Sequence, residues 1–180
     1  MPQFKYIDYL WDDEHAASLQ DDQIALFLYR SNILGADLRI TNYGGGNTSC
    51  KTSEKDPLTG EEVEVMWVKG SGGDLGTLKR DGVAGLYTKR LRDLKNTYKG
   101  LEDEDRMVGL YNHCIFDLES KAPSIDTALH GLLPFAHIDH LHPDSVIAIA
   151  AAKDSEAITK EIWGDKMGWL PWQRPGFDLG

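Results

Sequence analysis

The stretch that decides the fold runs over residues 137–154, HIDHLHPDSVIAIAAAKD. Its first half, HIDHLH, alternates in the manner of a strand, and PDSVIAIAAAKD reads as a helix with Pro143 at its first turn. A strand running straight into a helix predicts layered α/β architecture rather than a bundle. The same stretch carries His137, His140 and His142, three of the six histidines in the chain. In a strand, side chains alternate between faces, so His140 and His142 point the same way and His137 points the other. Neutral imidazole is a good zinc ligand, and two on one face are placed to share a metal ion. Spacing alone leaves open the plainer reading of surface or hydrogen-bonded histidines.

Working outward, residues 21–37 (DDQIALFLYRSNILGAD) read as a buried helix, with Asp21 and Asp22 at its start and Gly35 as its C-cap. Residues 37–52 (DLRITNYGGGNTSCKT) read as strand, glycine turn, strand. Residues 61–78 (EEVEVMWVKGSGGDLGTL) read as a strand, a second glycine loop and a short helix capped by Asp74. Residues 83–100 are expected to be helical, with Leu86, Leu91 and Leu94 on one face. Residues 103–118 are a further helix candidate, and SIDTALHGLLP (124–134) a short helix stopped by Pro134. The tail, GWLPWQRPGFDLG (168–180), has no clear terminator.

The two glycine loops are candidate anion sites. GGGNTSCK (44–51) allows a sharp turn, exposes backbone N–H groups and adds Asn47, Thr48 and Ser49. KGSGGDL (69–75) opens a helix after a strand, with Lys69 for charge and Ser71 for a hydroxyl. Neither has the spacing of a dinucleotide or triphosphate loop, and each alone equally fits a tight turn. Asp126, on the short helix before the histidines, reads by itself as an N-cap or a solvated carboxylate.

Composition sets outer bounds. The chain of 180 residues is 41% hydrophobic and 27% charged, with a net charge of −10, which argues against nucleic acid or an anionic membrane as partner. The opening residues show no apolar leader run and no stretch is long enough to span a bilayer, so a cytoplasmic protein is expected. Cys50 and Cys114 make no metal or redox motif and are expected to be reduced thiols. There is no internal repeat.

The motifs GGGNTS.K, VKGSGGDLGTL, PSIDTALHGLLP and HIDHLHPDSVIAIAAAKD, in this order, resemble the class II aldolase/adducin family. The likeness is greatest to the aldolase part of bifunctional rhamnulose-1-phosphate aldolase/alcohol dehydrogenases, and it covers nearly the whole chain. It implies a single domain over residues 1–180, a three-layer α/β/α fold with a largely antiparallel central sheet. It also implies zinc held by His140 and His142, a catalytic carboxylate at Asp126, and a substrate phosphate held by Asn47, Ser71, Gly72 and Ser124. The implied reaction splits a phosphorylated ketose, L-rhamnulose 1-phosphate, into dihydroxyacetone phosphate and L-lactaldehyde. Zinc would act as Lewis acid on the substrate oxygens and Asp126 would move protons. Family members are commonly homo-oligomers, tetramers with sites at subunit interfaces.

Two departures from the family pattern set further expectations. Position 126 is Asp where the simpler members carry Glu, which shortens its reach. The family's third zinc histidine lies in a later segment, so the fold is expected to be incomplete at the C-terminus, with a sheet edge open to pairing. His130 is either a local substitute ligand or a buried helix contact. The alternatives to the aldolase are an inactive adducin-like interaction module, a truncated fragment, or a family epimerase or decarboxylase.

Overall fold

The structure is a computed structural model that describes residues 5, 6 and 8–180. The leader reading above falls partly on residues 1–4 and 7, which lie outside the described residues.

Among the described residues the elements run α1 (Asp13–Ser18), α2 (Gln23–Ala36), β1 (Asn47–Lys55), β2 (Glu62–Lys69), β3 (Val83–Tyr87), α3 (Thr88–Asp93), α4 (Glu104–Leu110), α5 (Thr127–Leu132), β4 (His137–His140), α6 (Asp144–Ala150) and α7 (Ser155–Trp163), with short 3-10 turns between. The four strands form one antiparallel sheet in the order β3-β2-β1-β4. Both faces are covered. Met66, Val68, Ala84 and Leu86 meet Leu91, Met107, Tyr111, Cys114, Ala128 and Phe177 on the side of α3, α4 and α5. Cys50 and Val83 meet Ile24 and Phe27 of α2, with Leu75 and Leu78, on the other. This is the expected layered arrangement, with strands buried on both faces wherever they carry runs such as Val65-Met66 and Val68.

Local chemistry explains where the elements start. Asp22 is the N-cap of α2, its carboxylate accepting from the N–H groups of Ile24 and Ala25 at 3.1 and 2.9 Å. Asp74 caps a 3-10 turn over Leu75–Thr77 by accepting from Gly76 N at 2.7 Å. Both cysteines are free and buried, and burial pushes their thiols up, Cys50 to about 12 and Cys114 to about 11.

Four expectations are corrected. Gly35 is not a C-cap: α2 continues to Ala36, and a Cβ on Gly35 would stand 2.0 Å from Gly76 N. The residue is glycine because two backbones touch there. Residues 38–46 form no strand, since Asp37 folds the chain back, its carboxylate taking Arg39 N and its carbonyl taking Ile40 N. Residues 83–87 are strand β3 rather than the start of a helix. Gly85 there leaves room for the Trp67 ring, which a Cβ would meet at 2.6 Å. Leu86, Leu91 and Leu94 still join one core cluster, from a strand, a helix and a turn. Pro143 stands at the N-cap of α6, just before its first turn.

β3 is one edge strand of the sheet and β4, of four residues, is the other. After it, α6 packs against α7, and no residue of α6 is buried although six of its seven residues are Ser, Val, Ile or Ala. No described helix is long and apolar enough to cross a membrane.

Candidate metal and anion site

The site forms where β4 ends against the start of β1. Asn47 and His140 are cross-strand partners and share a face. His137 faces the opposite layer, as the alternation requires. His142 lies two residues past the strand, yet its Nε2 comes within 3.0 Å of His140 Nε2, with ring centroids 4.7 Å apart. The loop before β1 fixes this approach: a Cβ on Gly45 would meet His142 Nδ1 at 2.9 Å, so the absent side chain is what lets the imidazole in.

Asp126 approaches from α5. It occupies the N-cap position, but its carboxylate makes no capping bond. The side chain turns instead toward Ser124 Oγ, which donates at 3.2 Å, and toward His140 Nδ1 at 4.0 Å. The N-cap alternative therefore fails for the side chain, which remains available for chemistry. Burial holds His140 below its ordinary pKa, with Asp126 pulling it up and His142 pushing it down.

The glycine loops meet through one carboxylate. Asp74 Oδ2 accepts from Gly44 N at 3.4 Å while Oδ1 caps the turn beyond the second loop. Lys69, at the head of that loop, is 4% exposed and has no ion pair or side-chain hydrogen bond. Burial lowers its pKa, and Asp126 and Asp74 act to raise it. Lys69 is thus a mostly buried lysine whose ammonium makes no ion pair among the described residues. Ser71 N is committed to Ala122 O at 2.9 Å, and Gly70 bridges to Pro123, so this loop is strapped to the segment that carries Ser124 and Asp126. Gly72 follows at φ +72, exposed, with its N–H unpaired.

The residues singled out in the sequence thus divide. Asn47, Ser124, Asp126, His140 and His142 lie in one chain of contacts, and Ser71 and Gly72 on the loop strapped beside it. Asn47 is buried, and its Nδ2 donates to Lys69 O at 3.3 Å, so it braces the loop from beneath. His130 is fully buried, with Nδ1 on Ser49 Oγ at 2.7 Å, which is the buried helix contact and not a ligand. Burial pushes its pKa down to about 3. Ser49 was the partner that spacing could have found, since it stands two residues from Asn47 on the same face.

A family-implied zinc can be tested against this geometry. Two imidazole nitrogens bound at 2.0–2.1 Å in a tetrahedron stand roughly 3.3 Å apart, close to the 3.0 Å between the Nε2 atoms here. The pair fits two ligands of a zinc site. Among the described residues no third His, Cys, Asp or Glu completes a set of three.

Comparison with known proteins bears on the fold and the family. Residues 28–179 match the family model described as "Class II Aldolase and Adducin N-terminal domain". The protein named "Uncharacterized oxidoreductase YuxG" of Bacillus subtilis (strain 168) is 44% identical over 173 residues, covering 96% of this chain and 24% of the relative's own length. The chain therefore spans about a quarter of that relative. The solved N-terminal class II aldolase domain of a conserved protein from Thermoplasma acidophilum superposes with a TM-score of 0.79 at 28% identity, over 99% of this chain and 78% of that one.

Proposed function

The chain belongs to the class II aldolase and adducin family, and from that membership we propose that it is the lyase part of a metal-dependent aldolase acting on a ketose 1-phosphate, with L-rhamnulose 1-phosphate as substrate. The products are dihydroxyacetone phosphate and L-lactaldehyde. The observation that carries the reading is the convergence of His140 and His142 Nε2 at 3.0 Å beside a carboxylate that is not spent on its helix.

In this reading His140 and His142 hold zinc, which supplies Lewis acidity toward the substrate's oxygens. Every other task falls to the chain. Lys69 offers its charge to the phosphate, with Gly72 N–H, Ser71 Oγ and Ser124 Oγ as further donors. Holding the phosphate fixes the position of the carbons to be separated, so remote binding energy serves the reacting centre. Asp126, 21% exposed on its side chain and close to the imidazoles, takes the hydroxyl proton on cleavage and returns one to the departing carbon. Assembly into a homo-oligomer with shared sites belongs to the same proposal.

One observation favours a second reading. With two ligands in the described residues rather than three, the chain also suits an adducin-like interaction module that has kept the fold without the metal. Metal analysis separates the two. The aldolase reading expects stoichiometric zinc that is lost in His142→Ala, and dihydroxyacetone phosphate released from L-rhamnulose 1-phosphate by the wild type and not by Asp126→Asn. Metal-free, well-folded protein without that release supports the module.

A further inference from the structure

Among the buried polar atoms that make no hydrogen bond within the chain are His140 Nδ1, His130 Nε2 and Asn47 Oδ1. The sheet register gathers them. Asn47 faces His140 across the β1–β4 pair, and Ser49, next on that face, holds the His130 ring against the same patch. Native interiors rarely leave such groups unpaired, and a polar site with several of them holds an ordered water.

The protons can be placed by counting donors. The Ser49 hydroxyl is buried and His130 Nδ1 is its one partner. A hydroxyl always has a proton to give, so the arrangement without an orphan has Ser49 donating to Nδ1. The proton of neutral His130 then sits on Nε2. His140 presents Nε2 toward His142. For that nitrogen to offer a lone pair, as a metal ligand must, the proton of His140 sits on Nδ1. The amide of Asn47 is oriented by its bond from Nδ2 to Lys69 O, which leaves Oδ1 as an acceptor in need of a donor. Two N–H groups therefore lack an acceptor and one carbonyl lacks a donor. Asp126 Oδ2, at 4.0 Å from His140 Nδ1, is beyond hydrogen-bond reach. One water accepts from both rings and donates to the amide, and all three needs are met.

We propose that a buried water joins His130, His140 and Asn47, and that His130 is a positioning residue which fixes the tautomer and ring plane of His140 from beneath. The inference rests on the reading of His140 as a metal ligand. Partners behind a ligating histidine set its orientation and basicity.

The test is NMR on the 15N-labelled, metal-free 180-residue chain at neutral pH, reading histidine tautomers from long-range proton–nitrogen couplings. His130 is expected as the neutral Nε2–H form and His140 as the Nδ1–H form. His130 protonated on Nδ1, or His140 on Nε2, overturns the proposal. Cobalt(II) titration of variants adds a second readout. His130→Leu fills the space and donates nothing, and is expected to weaken cobalt binding about 10- to 100-fold. His130→Gln, whose amide restores an N–H, keeps affinity near wild type. Leu91→Ala, which destabilises the core beside α5, lowers the melting temperature and leaves affinity unchanged. Equal affinity in wild type and His130→Leu overturns the proposal. If His130→Leu does not fold, the tautomers in wild type and the His130→Gln titration decide. Wild type that binds no cobalt sinks the metal reading and with it the ground for the His140 assignment. The His130 tautomer, which rests on Ser49 alone, then decides whether His130 offers Nε2–H to a buried water.

Discussion

At the scale of single residues, two buried ionisable groups govern how the domain answers to acid and to mutation. His130 is neutral in the folded state, with burial pushing its pKa down to about 3 from the ordinary 6.5. The unfolded chain binds this proton more readily, so the stabilising contribution is complete above the unfolded value. It drains away as pH falls from there toward the folded value, by up to about 1.4 kcal/mol per pH unit. Urea midpoints followed below neutral pH should fall with this slope in wild type and less steeply in His130→Gln. Glu104 is the other group, with no exposed surface. Its two oxygens accept from Phe177 N and Asp178 N at 2.7 Å each, and Tyr98 OH donates at 3.1 Å. Glu104→Ala leaves two backbone donors without their acceptor, while Tyr98 keeps Asp178 Oδ1 at 3.1 Å, and should cost about 2–4 kcal/mol in chemical denaturation. Nothing in the pattern around residue 104 announces this role, because its two backbone donors lie more than seventy positions away.

At the scale of elements, the sequence was readable where period and capping agree and misleading where backbone contact decides. α2, β2 and β4 follow from alternation and from Asp22, and the paired imidazoles follow from strand alternation in HIDHLH. Two glycines show the limit. Gly35 sits where a C-cap would be expected, but its function is the close approach to Gly76. Gly85 sits in a segment with helical leucine spacing, but the Trp67 ring needs its empty face, and pairing with β2 makes it strand. Neither contact leaves a local mark. Gly35→Ala gains about 1 kcal/mol in helix propensity against a backbone overlap at 2.0 Å that costs more. Net destabilisation of more than about 2 kcal/mol is expected, and a stability equal to wild type would show that the two backbones can separate cheaply. In the candidate site, the residue types were legible but the role of each was not: Asn47 braces a loop from within the core, and His130 bonds Ser49 rather than joining the imidazole pair.

At the scale of the whole molecule, stability is concentrated in the sheet and its two covering layers. β2 and β3 are flanked by both core clusters and β1 joins one of them through Cys50, whereas α6 has no buried residue and rests on α7. Hydrogen exchange should therefore protect residues 48–52, 65–68 and 84–86 most and α6 least; slow exchange throughout α6 in the monomer would contradict the packing described. The edge at β4 brings one last constraint. Natural sheets guard such edges with charge or proline, but half of this strand faces inward: His140 and Ile138 share a face with Asn47 and Ser49. Only positions 137 and 139 are free for guarding, and Asp139 already carries a charge there, held by Arg30 Nε at 3.1 Å. Solubility at this margin and chemistry beside it are thus written in alternate letters of one four-residue word, so an engineer may edit the outward letters against aggregation without touching the inward ones.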